Sequence, residues 1–153
     1  MAESNFAKFL FTEPRGEIIR DGKTDKVSYK GIFATPQMLG TNCMVRYSIV
    51  KDAHVNEALP HVHDFPIILG FVGANSEDVF NFDADIEMYL GGQKLEIKKA
   101  SMITVPAGTA HNPLIFRRVG KPFGFLEVML TNKYTRRDVG VWPNGKVIDT
   151  TLY

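Results

Sequence analysis

Cysteine is nearly absent from the chain: Cys43 is the only one among 153 residues. It cannot form an internal disulfide, a Cys-based zinc site or a CxxC redox motif, and a reducing, cytoplasmic compartment fits best. Charge of one sign is equally lacking, because eighteen Lys and Arg against seventeen Asp and Glu leave a net +1. Without a strong field, nucleic acid and anionic membranes are poor partners. No apolar run reaches the ~18 residues of a membrane span. Residues 1–17 also lack the continuous apolar core of a secretory signal, so no membrane association or export is expected.

What is present is an ordinary globular composition, 44% hydrophobic and 23% charged, at a length suited to one domain of the usual ~100–200 residues. After residue 27, Val, Ile, Phe and Tyr recur in short runs punctuated by Gly, Pro, Asn and Asp, which predicts an all-β domain. Strands are expected over Val27–Ala34, Cys43–Lys51, His61–Val72, Ile86–Leu90, Gln93–Lys98, Ser101–Val105, Ala110–Arg118 and Phe123–Leu130. Their spacing of ~8–12 residues suits a sandwich or barrel. Gly91-Gly92 is the sharpest hairpin signal, since both central residues of a two-residue turn need positive φ. The segment from Ala74 to Asp85, with four acidic residues, reads as a solvated loop. The domain plan is an arm or edge element over 1–26, a barrel over 27–131, and a tail over 132–153. That tail carries Val141, Trp142 and Leu152 and is expected to pack on the barrel or on a partner subunit.

Chemistry concentrates in two segments, LPHVHDFPIILGFVG with His61 and His63, and SMITVPAGTAHNPLIF with His111. In a strand, side chains two apart share a face, so His61 and His63 can grip one ion. Phe65, Ile67, Leu69 and Phe71 share that face. Val62, Asp64, Pro66 and Ile68 point the other way, which makes Asp64 a poor ligand. The turn Pro106-Ala107-Gly108 redirects the chain so that His111 can supply a third imidazole. Three neutral imidazoles suit zinc, copper, iron or nickel and leave coordination positions open.

These segments resemble the two motifs of the cupin superfamily over about residues 55–116. His61, His63, Pro106, Gly108 and His111 match, and Gly73 matches approximately. Val55 and Ala100 stand where each motif begins with glycine, Ile67 stands where the family places a glutamate ligand, and Ile115 where it places asparagine. The resemblance implies a single antiparallel β-barrel of the double-stranded β-helix or jelly-roll type. It also implies one divalent metal ion per chain, iron, manganese, nickel or zinc, held by His61, His63 and His111. Cupins include dioxygenases, isomerases, epimerases, decarboxylases, sugar-binding regulators and metal-free storage proteins, so fold alone does not fix function. Three-histidine sites in the superfamily include thiol dioxygenases and some ring-cleaving dioxygenases.

Two further residues are candidates. Glu127 is the one carboxylate in the apolar strand PFGFLEVML and needs a partner if it faces inward, which makes it a candidate distant ligand or general base. Arg46 and Tyr47 point to opposite faces, and an inward Arg46 would anchor a carboxylate substrate. His54 reads as exposed. Arg117, Arg118, Arg136 and Arg137 read as a solvated basic patch. Two functions remain open: a mononuclear metalloenzyme, dioxygenase-like or isomerase-like, acting on a small organic substrate, anionic or neutral, or a non-catalytic small-molecule-binding or sensor cupin, with or without metal. Exposed sheet edges in so small a barrel predict a homodimer.

Overall fold

Alternating apolar residues and tight glycine turns drive the chain into antiparallel strands, and in this computed structural model their pairing is mostly non-local, with hairpins at β1–β2 and β8–β9. The structure describes residues 6–16, 18–20, 23–25 and 31–139. In chain order the strands are β1 (Ile18–Arg20), β2 (Lys23–Asp25), β3 (Gly31–Ala34), β4 (Met44–Val50), β5 (His54–Glu57), β6 (His61–Val62), β7 (Ile67–Gly73), β8 (Ala84–Leu90), β9 (Gln93–Ile97), β10 (Ser101–Val105), β11 (His111–Val119), β12 (Phe123–Met129) and β13 (Arg137–Asp138). One short helix, α1 (Pro36–Leu39), joins β3 to β4. It starts on a Thr35 cap with Pro36 behind it and stops at Gly40, whose φ of 63° only glycine adopts cheaply.

One sheet runs β10-β7-β12-β4-β3 and the other β13-β6-β11-β8-β9, with β5 added beside β11. The eight strands β4, β6, β7, β8, β9, β10, β11 and β12 alternate between the sheets, except at the β8–β9 hairpin within one of them, as two Greek keys, which is a jelly roll. The expected all-β antiparallel barrel is therefore the fold. Its sealed end is filled by rings: Phe71 stacks on Phe125 at 5.3 Å, and Phe116 lies edge-on to Phe123 and Phe125 at 5.4 and 5.6 Å. Gly91 and Gly92 make the β8–β9 turn at φ 57° and 83° as expected.

Several expectations need correction. The single strand expected over His61–Val72 is two strands in opposite sheets, broken over residues 63–66, where Pro66 lacks the N–H a ladder requires. The in–out alternation nevertheless persists through the break, with His61, His63, Phe65, Ile67, Leu69 and Phe71 buried and Asp64 exposed. Residues 6–9 form a 3-10 turn, and β1 pairs with β2 as a small hairpin, so the N-terminal region holds both a helical turn and strands. Residues 27–30 of the first expected strand, and Val141, Trp142 and Leu152, lie outside the described residues. No described helix is long and apolar enough to cross a membrane.

Candidate metal centre

β6 and β11 are neighbours in antiparallel register with His111 directly opposite His61. His63 follows two residues later on the same face. The turn at Pro106–Gly108 delivers His111, and Gly108, at φ 73°, donates its N–H to the His63 carbonyl at 2.8 Å. The turn is thereby fastened to the first histidine segment. After His111 the β11 register slips, between His111 and Leu114, across Asn112-Pro113.

The three imidazoles meet inside the barrel. Their ring centroids are 4.4 Å (His61–His111), 4.7 Å (His61–His63) and 5.1 Å (His63–His111) apart. One ligand nitrogen from each lies within 4.8 Å of the others, and only 3–4% of each residue is exposed. Every ring is also oriented from behind. Nδ1 of His61 donates to the Leu59 carbonyl at 2.9 Å, Nδ1 of His111 to the Thr109 carbonyl at 3.1 Å, and Nδ1 of His63 to the Thr135 carbonyl. A carbonyl oxygen only accepts, so each Nδ1 carries a proton, and in the neutral ring Nε2 then keeps its lone pair. Burial, reinforced by His111, Arg136 and His63 and opposed by the Leu59 carbonyl, pushes the His61 pKa down to about 3. Burial, opposed by the Thr109 carbonyl and aided by Arg136, lowers His111 as well. Neutral imidazoles with free Nε2 atoms are the form that ligates a cation, so the donor set fits a divalent ion.

The triad lines a cavity of about 290 Å³. Ile67, which stands at the glutamate position of the cupin motif, lines it too and places an apolar side chain among the histidines. On the facing sheet, one inward row of paired residues reads Phe33, Arg46, Glu127, Leu69 and Ile103. Arg46 is thus inside and Tyr47 outside. The Arg46 guanidinium lies 4.7 Å from the Phe33 ring centre, and its Nη1 is 3.7 Å from Glu127 Oε2. Burial raises the Glu127 carboxyl above the usual range, against the pull of Arg46. Both sequence candidates therefore line the same cavity as the triad.

Of the four arginines expected as a solvated patch, Arg137 is exposed, while Arg117, Arg118 and Arg136 are ion-paired. Arg117 pairs with Glu87 at 3.1 Å, and Arg118 with Asp83 at 2.7 Å and Asp85 at 2.6 Å. Arg136 is buried in the cavity wall, where Nη1 holds Glu57 at 2.8 Å. Burial alone would raise Glu57, but the Arg136 hydrogen bonds and charge, with the Leu59 N–H, bring it below its ordinary value. Tyr134, Arg136, Asn56 and Glu57 are cavity residues that sequence reasoning missed. Of these, only Arg136 stands out in the sequence, beside Arg137, and there it reads as surface charge. His54 is exposed as expected, its ring edge-on to Phe116 at 4.9 Å.

No protein-family profile and no curated protein matches the chain. Among solved structures, a salicylate 1,2-dioxygenase of Pseudoaminobacter salicylatoxidans with gentisate bound is similar at 8% identity and a TM-score of 0.49, covering 72% of this chain and 28% of its own. This chain thus spans little more than a quarter of that enzyme. A polyketide cyclase from Streptomyces resistomycificus is similar at 17% identity and 0.49, covering 71% and 69%. A cupin protein from Bacteroides fragilis is similar at 14% identity and 0.45, covering 71% and 82%. In its double Greek-key topology the chain has a cupin-type jelly-roll fold, with His61, His63, Pro106, Gly108 and His111 at the positions of the two resembling motifs.

Proposed function

We propose that the protein is a mononuclear metalloenzyme acting on a small anionic organic molecule, with one divalent ion per chain held by His61, His63 and His111. The observation that carries this reading is the convergence of three buried imidazoles, each with its Nδ1 proton committed to a backbone carbonyl, on one cavity. Such an ion supplies Lewis-acid polarisation of a bound oxygen, or a site for dioxygen, at the positions the protein leaves open.

The chain's own residues have separate tasks. Arg46 anchors an anionic group of the substrate from the facing sheet, its planar guanidinium steadied by Phe33. Glu127, beside it, holds or takes a proton at its carboxylate oxygen. With Ile67 in place of a carboxylate, three neutral ligands leave a divalent ion its full +2, so an anion binds with less repulsion than a carboxylate-ligated ion would impose.

Metal analysis of protein purified without chelator tests the reading: iron, manganese, nickel or zinc at one per chain is expected. His61→Ala with His111→Ala should abolish occupancy, and retained stoichiometry in that double variant overturns the site. The second reading, a binding or sensor cupin, is favoured by the motif's missing glutamate. A metal-free protein whose melting temperature rises with metabolites but which shows no turnover or oxygen uptake would select it.

A further inference from the structure

The three imidazoles are oriented by unequal means. His61 and His111 each donate to a carbonyl two residues earlier, so each lock is internal to its own segment. His63 donates to Thr135, 72 residues further along the chain. The Thr135 hydroxyl also accepts from the Asp64 N–H at 3.2 Å, and Tyr134 lies edge-on to His63 at 5.2 Å. Residues 134–138 therefore form a strap laid across the break between β6 and β7.

Arg136 fastens that strap. Its guanidinium donates to both oxygens of Glu57, at 2.8 and 3.4 Å, and to Asp138 at 2.5 Å, and only 10% of its side chain is exposed. Beyond it, β13 pairs Arg137 with Val62 and Asp138 with His61, and the Val139 N–H donates to the Pro60 carbonyl at 2.9 Å.

We infer that Arg136 is a positioning residue for the metal centre, clamping the strap to Glu57 so that the Thr135 carbonyl holds the His63 proton on Nδ1 and its Nε2 toward His61 and His111. This rests on the metal-binding reading above, and two effects of opposite sign make it decidable. As a charge, Arg136 opposes a cation at the triad. Removing it also uncovers Glu57 and Asp138, so electrostatics alone makes Arg136→Met bind a divalent ion more tightly. As a clamp, Arg136 is an outer partner of a ligand, and losing such partners weakens metal affinity by roughly 10–100-fold.

The test titrates cobalt(II) into chelator-treated wild-type and Arg136→Met protein, and reads the imidazole tautomers of both metal-free proteins by long-range proton–nitrogen NMR. Affinity at least 10-fold weaker, with His63 alone moving to mixed tautomers while His61 and His111 stay Nδ1-protonated, is expected. Arg136→Lys, which keeps the charge but loses the two-oxygen grip, should fall between. Unchanged or tighter binding with His63 unaltered overturns the inference while leaving the metal site standing. Should wild type bind no cobalt, the metal reading fails, and an unaltered His63 tautomer in Arg136→Met still overturns the clamp. Should Arg136→Met fail to fold, Glu57→Gln removes the same grip and is judged on the His63 tautomer by the same rule.

Discussion

Strand β7 passes Ile67 and Leu69 beside the histidines and, two residues later, buries Phe71 in a stack of rings. Strand β12 makes the same transition between Glu127 and Phe125, β11 between His111 and Phe116, and β4 between Arg46 and Val50. One end of the barrel is a dry aromatic plug and the other a polar cavity, although the same strands build both. The plug's buried apolar surface stabilises the fold, while the cavity end spends stability on buried polar groups that are oriented by backbone carbonyls and ion pairs. The candidate site is thus drawn from inward positions near one end of β4, β7, β11 and β12, joined by residues of β5, β6 and the 134–136 segment.

The strongest way to sharpen that division is Phe71→Ala. Loss of a fully buried ring at the plug should cost about 3–5 kcal/mol in urea unfolding, with metal affinity of the folded fraction unchanged. Metal lost well before unfolding would show that the two ends are coupled. A second separation comes from pH. His61 is held neutral down to about pH 3 when folded but takes a proton near 6.5 when unfolded, so the unfolded state binds more protons between those values. Stability of metal-free protein should therefore fall with acidification across that window, by about 1.4 kcal/mol per pH unit for one such histidine. His111 adds to the same slope. Urea titrations at pH 4.5 and 6 check it, and a slope that persists in His61→Ala with His111→Ala would place its origin elsewhere.

Ile67→Glu probes the border between the two ends. A carboxylate added among three imidazoles should cost metal-free protein about 1–3 kcal/mol for an unsatisfied buried polar group, tighten divalent-ion binding and weaken anionic ligands. A stability loss that metal does not restore would make Ile67 purely a core residue. If Glu127 already reaches the ion, Glu127→Gln with Ile67→Glu should bind metal better than Glu127→Gln alone. The smallest effect is expected outside the barrel. The outer row of the five-stranded sheet reads Ile32, Tyr47, Leu126, Gly70 and Met102, with Ile49 also exposed. We propose that this apolar face pairs in a homodimer. Light scattering should give twice the 17.2 kDa chain mass. Ile49→Lys should halve that mass while moving intrinsic stability within about 0.5 kcal/mol.

The buried row from Phe65 to Phe71 and the triad were legible in the sequence because each is written in local spacing: alternation groups that row, and His-x-His plus Pro-x-Gly announces the ligands, whereas the ring stack that joins Phe71 to Phe116, Phe123 and Phe125 depends on strand pairing. Inward Arg46 and Glu127 were legible as candidates because a charge in an apolar strand must face somewhere, but their pairing at 3.7 Å depends on β4 lying beside β12. The strap was not legible. Arg136 next to Arg137 looks like surface charge until Glu57, 79 residues away, is brought to it. β5 was missed because HVNE is mostly polar and only four residues long, and β13 because two residues carry no period.

The reach from His63 to Thr135 also sets an order of assembly. Closing 72 residues at once is entropically costly, but once Met129 is paired with Ile67 and Met44, Thr135 is only six residues from an anchored point. On that entropy argument the barrel closes before its third imidazole is oriented, and the proposed ion would meet a finished fold, so chelators should strip the site without unfolding the chain.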